Sequence, residues 1–231
     1  MRFHSLKLFP GLAALALGVS VVAALSPNTL ASAETNTVHI ALVFDDGPLP
    51  EHAPKLLELF MREQIQVTFS LVASNVQLHA ETARAIVAAG HEVANHSFGH
   101  QHPKTLSDAE LEHEIVAAQK VIAEQSGFTP HWYWPPFIEI DDRVRAAAKR
   151  AGIEVFPIKN LVVSGDYDRS VNAAEIKRRA TTGVTDGTVI LCHEWRDETL
   201  EQLPGILAEL RRQGCVFETF SELASHNRAK K

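Results

Sequence analysis

Short runs rich in β-branched residues alternate with longer amphipathic segments from Val38 to Leu223, and a chain built this way has few means of burying both kinds of element. Val38 to Phe44 reads as a strand ending in a turn at Gly47-Pro48. Ala53 to Glu63 follows as a helix, Gln66 to Val72 as a strand, and Glu81 to Ala89 as a helix closed by Gly90. Further strands are expected at His91 to Asn95, His131 to Trp134, Ile153 to Phe156, Thr188 to Leu191 and Val216 to Phe217. Between them lie helices at Ser107 to Gln125, Asp141 to Ala151, Ala173 to Thr182 and Glu198 to Gln213. The first of these opens on a capping box, Ser107-Asp108-Ala109-Glu110, and the strand at Trp134 is stopped by Pro135-Pro136. About seven strand–helix units of roughly 28 residues each predict an α/β fold: a parallel sheet covered by helices, closed or nearly closed into a barrel.

Composition narrows the function. Among 231 residues, 45% are hydrophobic, enough for one globular domain, and neither an internal repeat nor a low-complexity linker is visible. The formal charge of -6, with no long basic run, argues against nucleic acid as a partner. Two cysteines, Cys192 and Cys215, allow at most one bridge, which excludes a disulfide-stapled scaffold and a Cys-rich zinc module. At the N-terminus, Arg2 and Lys7 precede an apolar stretch from Gly11 to Leu25 and then Ala31-Ser32-Ala33. That order predicts a secretory signal peptide over residues 1–33, cleaved after Ala33. The stretch falls short of the ~20 residues a spanning helix needs, so no stable membrane insertion is expected after cleavage. Loss of the two basic residues takes the formal charge of the exported single domain, residues 34–231, from -6 to -8.

In such folds the residues just past the C-terminal ends of the strands share one face, and chemistry is sought there. The polar candidates are Asp45 and Asp46 after the first strand, His96 and His100 after the third, Asp166 after a later one, and His193 after Val189-Ile190-Leu191-Cys192. With 12 histidines in the chain, chance alone supplies about 0.6 pairs at a spacing of four, so His96-x3-His100 gains weight only from its context. The pair follows a strand directly, and a helix-like turn there would put both imidazoles on one side. Asp141-Asp142 is explained as carboxylates favoured at a helix N-terminus. Asp45-Asp46 is different: like charges this close raise each other's proton affinity unless a cation compensates. One divalent ion held by an Asp and two His would explain the pair.

These residues carry a resemblance. Val43-Phe44-Asp45-Asp46-Gly47-Pro48 is similar to the first signature of the polysaccharide deacetylases (carbohydrate esterase family four, the NodB-homology domain), and His96-Ser97-Phe98-Gly99-His100 matches the second. Leu191-Cys192-His193 resembles the last, and Val216 to Leu223 the closing strand and helix start, so the similarity spans about residues 37 to 224. It implies a distorted (β/α)7 barrel. It also implies that Asp46, His96 and His100 bind one divalent metal ion, zinc foremost, with Co, Mn or Ni as substitutes. Asp45 would be the general base that deprotonates the attacking water, and His193 the general acid that protonates the leaving amine. The backbone N–H of Phe137 would steady the oxyanion, Asp166 would orient His193, and Tyr167 with Leu191 would form the slot for the acetyl methyl.

The third signature departs from the family pattern: Tyr133-Trp134-Pro135-Pro136-Phe137-Ile138 places Trp134 where an arginine usually holds the catalytic Asp. Indole has no charge to offer, yet it donates one N–H hydrogen bond, so Asp45 can still be oriented. Arg196, or another basic side chain, swinging in as the missing cation is a further expectation. Trp132, Tyr133 and Trp134 read equally as a sugar-stacking platform or as core, with Tyr133 facing away from the two Trp. His91, His102 and His131 read as ordinary histidines. Cys192 should be a buried small hydrophobe pointing away from His193, with a bridge to Cys215 permitted in an oxidising compartment.

The resulting expectation is an exported, periplasmic or secreted, monomeric metal-dependent hydrolase removing N-acetyl groups from the amino sugars of peptidoglycan or a chitin-like chain. O-acetyl ester hydrolysis on xylan-like chains, a non-catalytic carbohydrate-binding descendant, and an amidase on a small non-sugar amide are the alternatives.

Overall fold

The computed structural model describes residues 37–230; the expected leader and its cleavage point after Ala33 lie outside the described residues. Eight strands form one parallel sheet: β1 (Val38–Gly47), β2 (Thr68–Leu71), β3 (Glu92–Asn95), β4 (Trp132–Tyr133), β5 (Glu154–Val155), β6 (Asn160–Val163), β7 (Thr188–His193) and β8 (Cys215–Glu218). Their order is β5-β4-β3-β2-β1-β7-β6, with β8 also on β1. One edge of β1 is shared end to end, Val38–Ala41 by β8 and Val43–Gly47 by β2, while β7 takes the other edge from Ile40 to Asp45. Seven positions therefore run around the curl, which stays open between β5 and β6: the expected distorted (β/α)7 barrel is an open half-barrel.

The helices are α1 (Ala53–Glu63), α2 (Ala73–Leu78), α3 (Ala80–Ala88), α4 (Asp108–Glu112), α5 (Ala118–Ser126), α6 (Asp142–Arg150), α7 (Ala173–Ala180), α8 (Asp197–Arg212) and α9 (Phe220–Ala229). A π turn at His113–Ala117 joins α4 to α5, so the single helix expected there is continuous. Its capping box forms, the Glu110 N–H donating to Ser107 Oγ and the Ser107 N–H to Glu110 Oε2. Asp141 caps α6 by accepting from the Val144 N–H at 2.9 Å. None of the helices among the described residues is long and apolar enough to cross a membrane.

Alternation along β1 divides the core. Ile40, Leu42 and Phe44 face the helices, packing with Phe60, Phe69, Leu203 and Leu207, whereas Ala41 and Val43 face inward with Trp132, Trp134, Phe156, Val189 and Leu191. The helix α9 fills the inside of the curl with Phe220, Leu223 and Ala224. Trp132, Tyr133 and Trp134 are all fully buried, which removes the stacking platform; Tyr133 does point the other way, into the cluster around Leu111, Val144 and Ile153. His91 is also a core residue, its burial lowering its basicity to about 4.

Cys192 lies on the helix-facing side, as alternation requires, and both cysteines are free. The permitted bridge is ruled out by register. Cys215 pairs with Val38 and Cys192 with Phe44, on opposite edges of β1. Six residues of strand put them roughly 20 Å apart, against the ~7 Å limit for bridged Cα atoms.

Phe220 stacks on Phe156 with ring centroids 4.0 Å apart and is wholly buried. Phe220→Ala is expected to destabilise the fold by about 3–5 kcal/mol, read as a lower urea midpoint with an unchanged slope.

Candidate active site

Inward-facing alternation continues past Val43 to Asp45, and past Leu191 to His193; register puts Asp45 beside His193 at the C-terminal ends of β1 and β7. Around them opens a cleft of about 430 Å³ lined by Asp46, His96, His100, Phe137, Tyr167 and Leu191 as well. Every site residue expected from sequence except Asp166 and Trp134 lines this cleft, and those two lie directly behind it.

Asp46, His96 and His100 each present a ligand atom within 4.8 Å of the others. Asp46 Oδ1 lies 3.6 Å from His96 Nε2 and 3.2 Å from His100 Nε2. The convergence does not come from a helix-like turn. The chain leaves β3 through a bend in which Ser97 and His100 are left-handed, with φ of 70° and 56°. Side-chain hydrogen bonds hold that backbone: the Ser97 N–H donates to Asn95 Oδ1, the His100 N–H to Ser97 Oγ, and the Gly99 N–H to Glu114 Oε2. Asp46 is left-handed as well, at φ 73°, with its carbonyl held by Asn75 Nδ2. Left-handed non-glycine residues grouped at one point are strain held by the surroundings, a pattern associated with working sites.

The donor set fits a divalent cation. His96 Nδ1–H donates to the Trp134 carbonyl at 2.6 Å, which fixes the tautomer and leaves the Nε2 lone pair facing Asp46. Asp46 Oδ2 accepts from Trp195 Nε1 at 2.8 Å, while Oδ1 is buried with no hydrogen-bond partner. An imidazole pair with an orphaned carboxylate oxygen is an N₂O set suited to zinc and neighbouring first-row ions.

The two adjacent carboxylates are pushed apart in acidity. Burial raises Asp45 to about 6 against the pull of His96 and His193. For Asp46, burial is outweighed by the attraction of the surrounding imidazoles, His96 foremost and then His193 and His100, so its carboxyl is held well below the ordinary range. Trp134 Nε1 donates to Asp45 Oδ2 at 3.0 Å. Arg196 takes no part: it is tied to the Val171 carbonyl and to Glu198, and among the described residues no Lys or Arg pairs with Asp45.

On the opposite wall, Asp166 is fully buried, accepting from His193 Nδ1 at 2.7 Å, from the His193 backbone N–H and from Thr199 Oγ1. Nε2 of His193 is thereby the nitrogen left for the cleft. Burial lowers the basicity of His193, but the Asp166 hydrogen bond and the charges of Asp45, Asp166 and Asp46 outweigh it and hold the imidazole up at about 9. Phe137, left-handed at φ 57°, follows two prolines that carry no N–H, and the turn's hydrogen bonds use the N–H groups of Ile138 and Glu139. The Phe137 N–H is not used in that turn. Its ring stands between His102, stacked at 3.6 Å, and His100. Tyr167 is exposed at the rim, 6.2 Å from His193, and Leu191 is buried in the wall.

Three residues were not anticipated. Trp195 holds Asp46; Thr199 holds Asp166; and Glu194, buried, accepts from the Leu49 N–H at 2.7 Å while its own N–H donates to the Asp45 carbonyl. Burial lifts Glu194 to about 8. Its Oε2 would lie 1.8 Å from a Cβ at position 47, so a larger residue there would displace this buried carboxyl. Glu194 and Trp195 lie just before helix α8 and Thr199 in its first turn, where spacing alone does not show how far each side chain reaches.

Comparison with known proteins agrees with this geometry. The family model described as polysaccharide deacetylase matches residues 32–156, and the chain belongs to that family. A peptidoglycan-N-acetylglucosamine deacetylase of Bacillus cereus is 30% identical over 187 residues, covering 80% of this chain and 87% of that protein. PgdA of Listeria monocytogenes, a protein of the same description, is 30% identical over 83% of this chain, which spans only 40% of the Listeria protein's length. The solved structure of the peptidoglycan deacetylase PdaC from Bacillus subtilis superposes with a TM-score of 0.74 at 29% identity, covering 85% of this chain and 96% of that one.

Trp134→Phe keeps the ring's bulk and removes the donor to Asp45. The variant is expected to lose about 1–2 kcal/mol of stability and to move the Asp45 titration further above about 6, measurable by carboxyl NMR on chelator-treated protein.

Proposed function

We propose that this protein is an exported hydrolase that removes acetyl groups from the N-acetylated amino sugars of a polysaccharide, peptidoglycan or a chitin-like chain. The observation that carries the reading is the meeting, in one cleft, of the Asp46–His96–His100 donor set with Asp45 on one side and the His193–Asp166 pair on the other. The peptidoglycan-deacetylase descriptions of the Bacillus and Listeria relatives support it. Export rests on the leader read over residues 1–33, and predicts a mature chain beginning at Glu34.

Hydrolysis of an unactivated amide needs three things together: a deprotonated nucleophile, a polarised carbonyl and a protonated leaving group. Asp46, His96 and His100 would hold a divalent ion, zinc by preference, which when bound would supply Lewis-acid polarisation of the acetyl oxygen and acidify a water. Asp45, steadied by Trp134, accepts the proton as the water oxygen bonds to the acetyl carbon. The Phe137 N–H is a donor for the oxyanion that develops. His193 Nε2–H passes its proton to the amine nitrogen as the carbon–nitrogen bond breaks, leaving acetate and a free amino sugar. Asp166 keeps that imidazole charged and turned so that Nε2 faces the cleft. Leu191 and Tyr167 bound the space for the methyl group. With base, donor set and acid all present, the replacement of the usual arginine by Trp134 leaves a working enzyme rather than a binder.

Acetate release from chitooligosaccharide and from peptidoglycan fragments, with Zn²⁺ or Co²⁺ added, is the test. Asp45→Asn and His100→Ala should each lower the rate by about 100-fold or more; full activity in both refutes the assigned roles, and no release by the wild type overturns the amino-sugar reading in favour of the sugar-binding, O-acetyl esterase or small-amide ones.

The pH profile follows from the same groups. Asp45 works only when ionised, so activity is lost as pH falls through its value, which a cation on Asp46 draws below about 6. His193 works only when protonated, so activity is lost as pH rises through about 9. Asp166→Asn removes a partner that raises His193, and the alkaline limb should move to lower pH.

A further inference from the structure

At the other end of β1 lies a second group of metal-binding side chains that the proposed reaction does not use. His39 faces inward at the start of the strand, and Glu218 of β8, paired in register with Ala41, faces the same way. The helix α9, which fills the base of the curl with Leu223, presents His226 from the same side of its cylinder. His39, Glu218 and His226 each offer a ligand atom within 4.8 Å of the others. Six residues of strand, roughly 20 Å, separate His39 from Asp45.

We propose that His39, Glu218 and His226 form a second zinc site, one that clamps β1, β8 and α9 together at the base of the half-barrel. The two imidazoles are stacked, with centroids 3.7 Å apart, so one ring must turn for both lone pairs to meet a single ion; three observations carry the proposal. His39 Nδ1 lies 2.6 Å from Glu218 Oε1, a contact in which zinc would replace a shared proton. The other oxygen, Glu218 Oε2, is buried with no hydrogen-bond partner, a carboxylate left partly unsatisfied where burial is costly. His226 Nε2 is hydrogen-bonded to Asp186 Oδ1 at 3.2 Å, which leaves Nδ1 as the ligand atom and reproduces the carboxylate–histidine pairing of metal sites. Asp186 is itself neutralised by Lys230 at 3.0 Å and Lys159 at 3.7 Å, so Glu218 is the carboxylate available to the cation. Two imidazoles and one carboxylate suit zinc rather than calcium or magnesium, which prefer all-oxygen sites.

The test uses the full chain in which Asp46→Asn, His96→Ala and His100→Ala abolish the cleft's donor set, stripped of metal and re-equilibrated with zinc chloride. Metal analysis is expected to find one zinc per chain, and thermal melting a rise of about 5 °C or more with zinc a hundredfold above its dissociation constant. Adding Glu218→Gln, which keeps the side chain's size and removes its charge, should abolish both the bound zinc and the shift. His39→Ala with His226→Ala should do the same in a chain whose circular dichroism is unchanged. Absence of zinc and of any shift in the first protein overturns the site, as does zinc retained in full after either further change. Because the cleft is disabled throughout, these outcomes are independent of acetate release.

Discussion

Two carboxylates in succession at the end of a buried strand are an electrostatic problem that the surroundings must solve. Asp45 is almost inaccessible to water and Asp46 only partly exposed, so neither is screened well, and a second negative charge beside the first is costly in a medium of low effective dielectric. The protein's answer is asymmetric. Asp46 turns through a left-handed backbone toward His96 and His100 and stays ionised, while Asp45, held only by an indole N–H, is lifted toward neutrality. A cation against Asp46 would complete the arrangement. Asp45 keeps one oxygen, Oδ1, that no protein donor satisfies, which is what the proposed proton acceptor for water requires.

The scaffold serves this asymmetry. Parallel pairing of β1 with β7 brings Asp45 level with His193, and pairing of β2 with β3 carries the chain from Leu71 to Asn95 and then His96 at the same level. Glu194 and Trp195, immediately after His193, reach back to Leu49 and Asp46 at the end of β1, so His193 and Asp46 are fixed by one stretch of chain. The proposed acid and base, His193 and Asp45, come from neighbouring strands, and their separation is set by the sheet rather than by flexible loops.

Much of this could be read from sequence, and the limits have physical causes. Period-two alternation correctly sent Cys192 away from His193 and Tyr133 away from its two tryptophan neighbours, because a pleated strand leaves no other choice. Helices α1, α6 and α8 were bounded to within about two residues by their apolar faces and end signals. The six-residue α2 went unseen, being too short for a periodic signal, and β6 was anticipated only as some strand before Asp166, since Asn160–Val163 is short and half exposed. The bend that gathers His96 and His100 could not be foreseen either. It depends on Asn95, Ser97 and Glu114 holding non-helical backbone, and the spacing of two histidines carries no record of which side chains bind the backbone between them. Nor could the Cys192–Cys215 separation be known before the register of β7 and β8 on β1.

The central claim is that Asp46, His96 and His100 hold one cation between them. A crystal grown with zinc and measured across its absorption edge tests this most directly. Anomalous density about 2.0–2.2 Å from Asp46 Oδ1 and the Nε2 atoms of His96 and His100 is the predicted result. An Asp46 carboxylate hydrogen-bonded to protonated imidazoles, with no anomalous signal between them at saturating zinc, would contradict it.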